Sequence, residues 1–322
     1  MRAIDHVLRA FDSVAGPLVP PPLTAQNAQP GMLTLLTRHS HEPAGEAFGV
    51  VWEGAPAIFA KSPAAAGMAG LERVVPGPTS ALSRVYEAAL RLLDTPRFAL
   101  FHKRTSGLGK PRKGELPFEE EGAPLSVSVA LLSPPAAVLS GDARDDSADL
   151  RWVLGEALAC VLPESALVLG LDLAEARALW SVLLGAFGPP GLVTVDRKDA
   201  QLADMLWQTL APRTQRKLKE LLASSDATAF DLVLERAKQS GRRLGMFLTG
   251  DFGHAARRVL ADFPQADPAE LERPGGLERL CAQFPSLADL LRLAVRPEYA
   301  DARWHLPTPA SQRLASGKLP PV

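Results

Sequence analysis

Cysteine is nearly absent from this chain. Cys160 and Cys281 are the two in 322 residues, far apart and outside any C-x-x-C pair, which excludes a disulfide-stapled scaffold and a zinc ribbon. Aromatics make up 6% of the residues, so a core must be built mainly from Leu, Val and Ala. Net charge is lacking too: 35 Lys and Arg against 36 Asp and Glu leave a formal −1, with no global pull towards nucleic acid or an anionic membrane. No apolar run approaches the roughly 18 residues of a membrane span. Residues 1–14 carry an amphipathic pattern where a secretory signal would need an unbroken apolar stretch. A G-x-S-x-G nucleophile elbow is also missing. These absences lead us to expect a cytoplasmic chain with no membrane span and no nucleic-acid partner.

What is present is an apolar content of 47%, enough for a sizeable core, organised around residues 146–163, DSADLRWVLGEALACVLP. Leu150, Val153, Leu154, Ala157, Leu158, Val161 and Leu162 recur at the i, i+3, i+4, i+7 spacing of an amphipathic helix. Ser147 or Asp146 offers an N-cap oxygen, and Pro163 ends the pattern. Upstream, LSVSVALL at 125–132 alternates at period two, and AAVLS at 136–140 is a second short apolar run. Two strands therefore lead into one helix.

With its strands, this helix resembles that of the HtpX-like zinc metallopeptidases, which reads roughly L-x-F-V-L-G-H-E-L-G-H. The corresponding stretch is Leu150-Arg151-Trp152-Val153-Leu154-Gly155-Glu156-Ala157-Leu158-Ala159-Cys160. In that motif two histidines one turn apart bind zinc and the glutamate between them is the general base. The resemblance places Glu156 and Cys160 at the two histidines and Ala157 at the base, and a methyl group cannot take a proton. The third zinc ligand of the family is a glutamate on a later helix, in a pattern like E-x-x-A-D-R-x-G. The best match is Lys238-Gln-Ser-Gly-Arg242-Arg243-Leu244-Gly245, which puts Lys238 at the ligand and Arg242 at the supporting aspartate. A shift of a few residues brings Glu235 into play instead. The chain also resembles zincin-like C-terminal regions of large bacterial tetratricopeptide-repeat proteins, through PPAAVLSG, DLRWVLGEAL, RRLGMFLTGDFGHAARRVL and LADLLRLAVRPEYADAR, over roughly residues 80–303. The resemblance implies a metallopeptidase architecture without its metal, with vestigial positions Glu156, Ala157, Cys160 and Lys238.

Along the chain, Ile4, Val7, Leu8, Phe11 and Val14 form a helical stripe that must dock on something. Residues 17–22, PLVPPP, read as a stiff connector or as a ligand for an SH3-like partner. Residues 32–37, 48–52 and 57–60 are predicted strands, with a hairpin turn at Gly54-Ala55-Pro56. His39 and His41, two apart, suit a solvated loop better than a metal. An Ala-, Gly- and Pro-rich boundary at 63–79 divides an N-terminal helix-plus-hairpin subdomain, 1–75, from a degenerate zincin-like domain, 76–303, with a tail at 304–322. A helix from about 81 to 93 and a strand from 97 to 103 follow. The loop TSGLGKPRKG at 105–114 fails the P-loop pattern. Its basic residues, flanked by Glu119, Glu120 and Glu121, read as a solvated excursion, which leaves phosphate or nucleic-acid binding the weakest alternative.

The second half is predicted to be helical, over about 172–187, 198–210, 212–224, 230–248, 269–284 and 287–295. The fold expected is α+β: a small, mostly antiparallel sheet packed on the central helix, with a mainly helical C-terminal half. On a helical wheel at about 100° per residue, Cys160 lies roughly 100° and Glu156 roughly 140° from the centre of the apolar stripe. That predicts a half-buried thiol beside a solvated carboxylate. The functional expectation is a catalytically inactive metallopeptidase-like module for protein–protein interaction or scaffolding, with no cofactor and with a protein partner or self-association. The alternative is a hydrolase with an unconventional metal site around Glu156 and Cys160, with Glu235 as a further ligand.

Overall fold

The computed structural model describes residues 2–304 except 13, 29–30, 38–42, 69, 93–97, 104–123, 194–195, 198 and 227. The chain begins with helices α1 (Arg2–Arg9), α2 (Leu33–Leu36), α3 (Pro43–Gly54) and α4 (Pro56–Phe59). Strand β1 (Glu72–Arg73), α5 (Ala81–Leu92) and strands β2 (Ala99–Lys103), β3 (Ser126–Ala130) and β4 (Ala136–Ser140) follow. Then come α6 (Ala148–Cys160), α7 (Pro163–Gly170), α8 (Leu173–Phe187), α9 (Ala200–Thr209), α10 (Pro212–Leu222), α11 (Ala229–Thr249) and α12 (Phe252–Ala261). A 3-10 turn, Pro268–Glu272, and α13 (Gly276–Gln283), α14 (Pro285–Ala294) and α15 (Pro297–Trp304) close the described chain. This is the α+β architecture expected, with a mainly helical C-terminal half.

The sheet has four strands in the order β1-β2-β4-β3; β2 and β4 run parallel and the other two pairings are antiparallel. Alternation along β4 sends Ala137 and Leu139 to the main core and Ala136 and Val138 to a small cluster with Met68 and Ala130. Covered on both faces, β4 has no need of polar residues until Ser140.

The central helix α6 is capped by Ser147, whose hydroxyl accepts from the Leu150 amide at 3.1 Å. All seven residues of its predicted stripe are buried. So are Arg151, Trp152, Gly155 and Ala159 on its other sides, because α5, β3, β4 and α11 surround it. Helix α11, 21 residues long, joins two cores. Its first half sends Phe230, Val233 and Ala237 into a cluster with α3, α7, α8 and α10. Its second half sends Leu244, Met246, Phe247 and Leu248 into the cluster built on α6, α12, α14 and α15.

The structure corrects several expectations. The three predicted N-terminal strands are helical, and Gly54-Ala55-Pro56 is the break between α3 and α4, with Pro56 in the first turn of α4. The apolar run Phe48-Gly49-Val50-Val51-Trp52 looks like a strand because an enveloped helix needs no polar face; all five residues are buried. The stripe on α1 is also revised. Val7 is buried and Phe11 partly so, but Ile4, Leu8 and Val14 are 54%, 70% and 95% exposed. The face turned inward also carries His6, which is buried. The central helix does end before Pro163, at Cys160, but Pro163 then starts a further helix, α7, after a bend of 103°. The predicted helix at 269–284 is interrupted between Glu272 and Gly276, where Arg273-Pro274-Gly275 supplies the break. No single helix among the described residues is long and apolar enough to cross a membrane, and the α6–α7 pair reaches that length only in its bent form.

Candidate functional site

The two stretches that carry the metallopeptidase likeness lie against each other. Helices α6 and α11 run antiparallel in close contact: Gly245 faces Trp152, Gly155 meets Leu244 and Gly245, and Gly241 sits over Glu156 and Ala159. Small residues on both sides permit this approach. A Cβ added to Gly155 would collide with the backbone N and Cα of Gly245.

Against the wheel expectation of a solvated carboxylate, Glu156 is half-buried where these helices meet. Burial pushes its carboxyl above the usual range, opposed by a 2.9 Å hydrogen bond that Trp152 Nε1 donates to Oε1 and by the charges of Arg258 and Arg242. Cys160 is only partly exposed, and its thiol is pushed up to about 12, first by burial and then by the nearby Glu156. Ala157, at the position of the base, has no solvent exposure and belongs to the main core. Lys238 is exposed, while Ala237, Gln239 and Ser240 around it are buried, so its ammonium lies in solvent. Glu235 is on the same helix but is engaged elsewhere: its Oε1 accepts from Arg242 Nη1 at 2.9 Å and from Ser286 Oγ at 2.8 Å. Arg242 also reaches Asp262 Oδ2 at 2.9 Å. Of the proposed positions, Glu156 and Cys160 act on each other, Glu235 is taken up by Arg242 and Ser286, and Lys238 is exposed.

Glu156 and Cys160 alone are too few donors for a zinc ion, which takes three or four protein ligands, and burial disfavours the charged form of each. Among the described residues, no three of His, Cys, Asp and Glu converge on a point that could hold a metal. His39, His41, the loop at 105–114 and Glu119, Glu120 and Glu121 lie outside the described residues.

Sequence reasoning missed the rim of this region. His254 Nε2 stands 3.5 Å and Arg258 Nη1 3.6 Å from Asp149 Oδ1, and the His254 ring meets Trp152 edge-on at 6.4 Å. Burial lowers the His254 pKa, against the pull of Asp149 and Asp251. Trp152, four residues before Glu156, was the readable signal, since residues one helical turn apart share a face. Histidine and arginine from α12 were not readable, because only tertiary packing brings α12 to α6.

A cavity of about 330 Å³ opens elsewhere, lined by Pro43, Ser224, Ser225, Asp226, Thr228 and Leu232 among others, with no residue of α6. The Asp226 carboxylate there is spent on the start of α11, accepting from Thr228 N at 2.8 Å, Thr228 Oγ1 at 2.6 Å and Ala229 N at 3.1 Å. No protein family, curated protein or solved structure matches the chain.

Proposed function

We propose that the chain is a metallopeptidase-like module that has lost its metal chemistry and serves in protein–protein interaction. One observation carries the reading. The gap between α6 and α11, where a zinc site shared by two helices would have to open, is closed by the contact of Gly155 with Gly245, and the position of the base is a core alanine. The likeness to a zincin rests on strands leading into a helix that packs on a second, later helix; the loss of activity rests on Ala157 and on the neutral-favouring surroundings of Glu156 and Cys160.

Elemental analysis of the full chain, purified without chelator, tests this against the hydrolase alternative. The expected result is far less than one zinc per chain and no cleavage of an unfolded protein substrate. One zinc per chain, lost together with hydrolysis on Cys160→Ala, would establish the unconventional metal site instead.

A further inference from the structure

Residues 17–23, Pro-Leu-Val-Pro-Pro-Pro-Leu, form a strap outside any helix or strand. Three consecutive prolines fix φ near −65° for themselves and bias Val19, Pro20 and Pro21 away from helix, so this segment is set towards a polyproline II rod before anything touches it. Such a rod repeats every three residues, and its second half docks in that way: Pro20 and Leu23 are buried, while Pro21 and Pro22 between them are exposed, as is Pro17 at the start of the strap.

Carbonyls of the strap are held as well. His6 Nδ1 donates to Leu18 O at 2.6 Å, and Arg303 Nη2, three residues further along the strap, to Pro21 O at 3.4 Å. Arg151 Nη1 donates to Leu23 O at 3.0 Å, with its guanidinium oriented by Asp146 at 2.6 and 2.7 Å. Donors on α1, α15 and α6 thus read the backbone of one rod. The wall is aromatic: His6 packs 5.2 Å from Trp304 and 6.2 Å from Tyr299, and Arg303 lies over Phe247 at 5.5 Å. Gly250, with φ at +68°, forms the floor; a Cβ there would stand 2.6 Å from the Pro20 ring and would strike the Arg303 guanidinium.

The strap fills this groove imperfectly. Nε2 of His6 is buried without a hydrogen-bond partner among the described residues, and the Tyr299 hydroxyl and the Arg303 guanidinium interact with each other, with the Arg303–Pro21 bond as the hydrogen bond shown from this pair to the strap. Buried donors left unmatched weaken the occupied state. A proline-rich segment carrying a further acceptor within reach of Arg303 or His6 Nε2 would satisfy donors that the strap leaves unmatched, which favours its exchange for the strap.

We infer that this groove is a polyproline-recognition site, occupied in cis by residues 17–23, and that a proline-rich segment supplied in trans by another protein displaces the strap. The inference deepens the interaction-module reading by naming a partner chemistry, and rests on that reading for its biological use.

The probe is a fluorescein-labelled peptide with the sequence of residues 16–24, GPLVPPPLT, titrated by anisotropy onto the full chain and onto a strap-release chain carrying Pro20→Ser and Leu23→Ser. The release chain is expected to bind saturably and at least tenfold more tightly than the wild type, where the tethered strap competes at high effective concentration. A peptide with serine at both anchor positions should bind neither chain. In the wild type, which needs no folding control, millimolar peptide should shift the NMR signals of Leu18, Pro20 and Leu23 as the strap leaves the groove. A release chain that melts cooperatively yet ignores the peptide would overturn the inference, as would unchanged strap signals in the wild type. Either failure in a zinc-free chain leaves the interaction reading standing. Stoichiometric zinc with hydrolysis would sink that reading and leave the titration as it is.

Discussion

Replacing Gly155 with alanine should destabilise the fold, although alanine is the better helix former. In an open helix interior the exchange stabilises by about 1 kcal/mol. At this position the new methyl has no room: its three nearest atoms, N and Cα of Gly245 and the carbonyl carbon of Leu244, all belong to the α11 backbone. No rotamer change relieves such a clash, so α6 and α11 must move apart along the seam that links both cores. Overpacking costs about 1–3 kcal/mol and rises towards or beyond the upper figure when backbone has to shift, leaving a net loss of about 2 kcal/mol after the propensity gain. Gly241→Ala is the control on the facing helix. Its methyl meets Glu156 Cα at 3.4 Å and Ala159 Cβ at 3.6 Å, ordinary contacts, so that variant should match or exceed the wild type, by up to about 1 kcal/mol. Urea unfolding followed by circular dichroism reads the difference as a shift in midpoint at constant slope. A Gly155→Ala chain as stable as the wild type, or equal losses at both glycines, would refute the close seam and with it the closed metal gap.

Rebuilding the motif with Glu156→His, Ala157→Glu and Cys160→His should not restore stoichiometric zinc. It should lower the melting temperature, since a carboxylate at residue 157 enters a fully buried site at a cost on the order of 3 kcal/mol. Alkylation by iodoacetamide at pH 8 should be slow in the native chain and fast in denaturant at both cysteines, because burial lifts Cys160 to about 12 and Cys281 to about 11; mass spectrometry of the two peptides checks it. Glu156→Gln should raise stability at neutral pH. A folded-state pKa above the unfolded 4.5 makes the wild type lose stability as pH rises from that value to the folded pKa, so the variant's advantage should grow over that window and vanish below it; equal advantages at pH 4 and pH 8 would contradict the burial argument. Arg243 forks Asp289 through two 2.6 Å bonds, both side chains being under 10% exposed, so Arg243→Met should cost about 3 kcal/mol in thermal or urea unfolding. Adding Asp289→Leu should recover most of that loss.

Local chemistry made much of the second half readable. The stripe from Leu150 to Leu162, the capping box of Asp172 and Glu175 on α8, Pro212 opening α10 and the alternation of β3 and β4 each depend on neighbours a few residues away. The polyproline character of residues 17–23 is of the same kind, since ring geometry alone sets it. The N-terminal helices were not readable, because a helix covered on every side loses the polar face that marks its period, and α3 then resembles a strand.

The candidate region divides along the same line. Sequence alone determined that residue 157 has no base, that residues 156 and 160 share a side of α6, and that a glycine stands at 155. Tertiary structure decided the rest. Glu156 was expected in solvent and is half-buried, because Gly155 and Gly245 let two helices 90 residues apart touch backbone to backbone. Arg151 and Arg303 look like surface residues in the sequence, but they are buried over the strap carbonyls. Which face a helix buries follows from its own period. Whether a charged group on that helix meets water, a carbonyl or another helix depends on residues far away in sequence, and desolvation then sets its protonation.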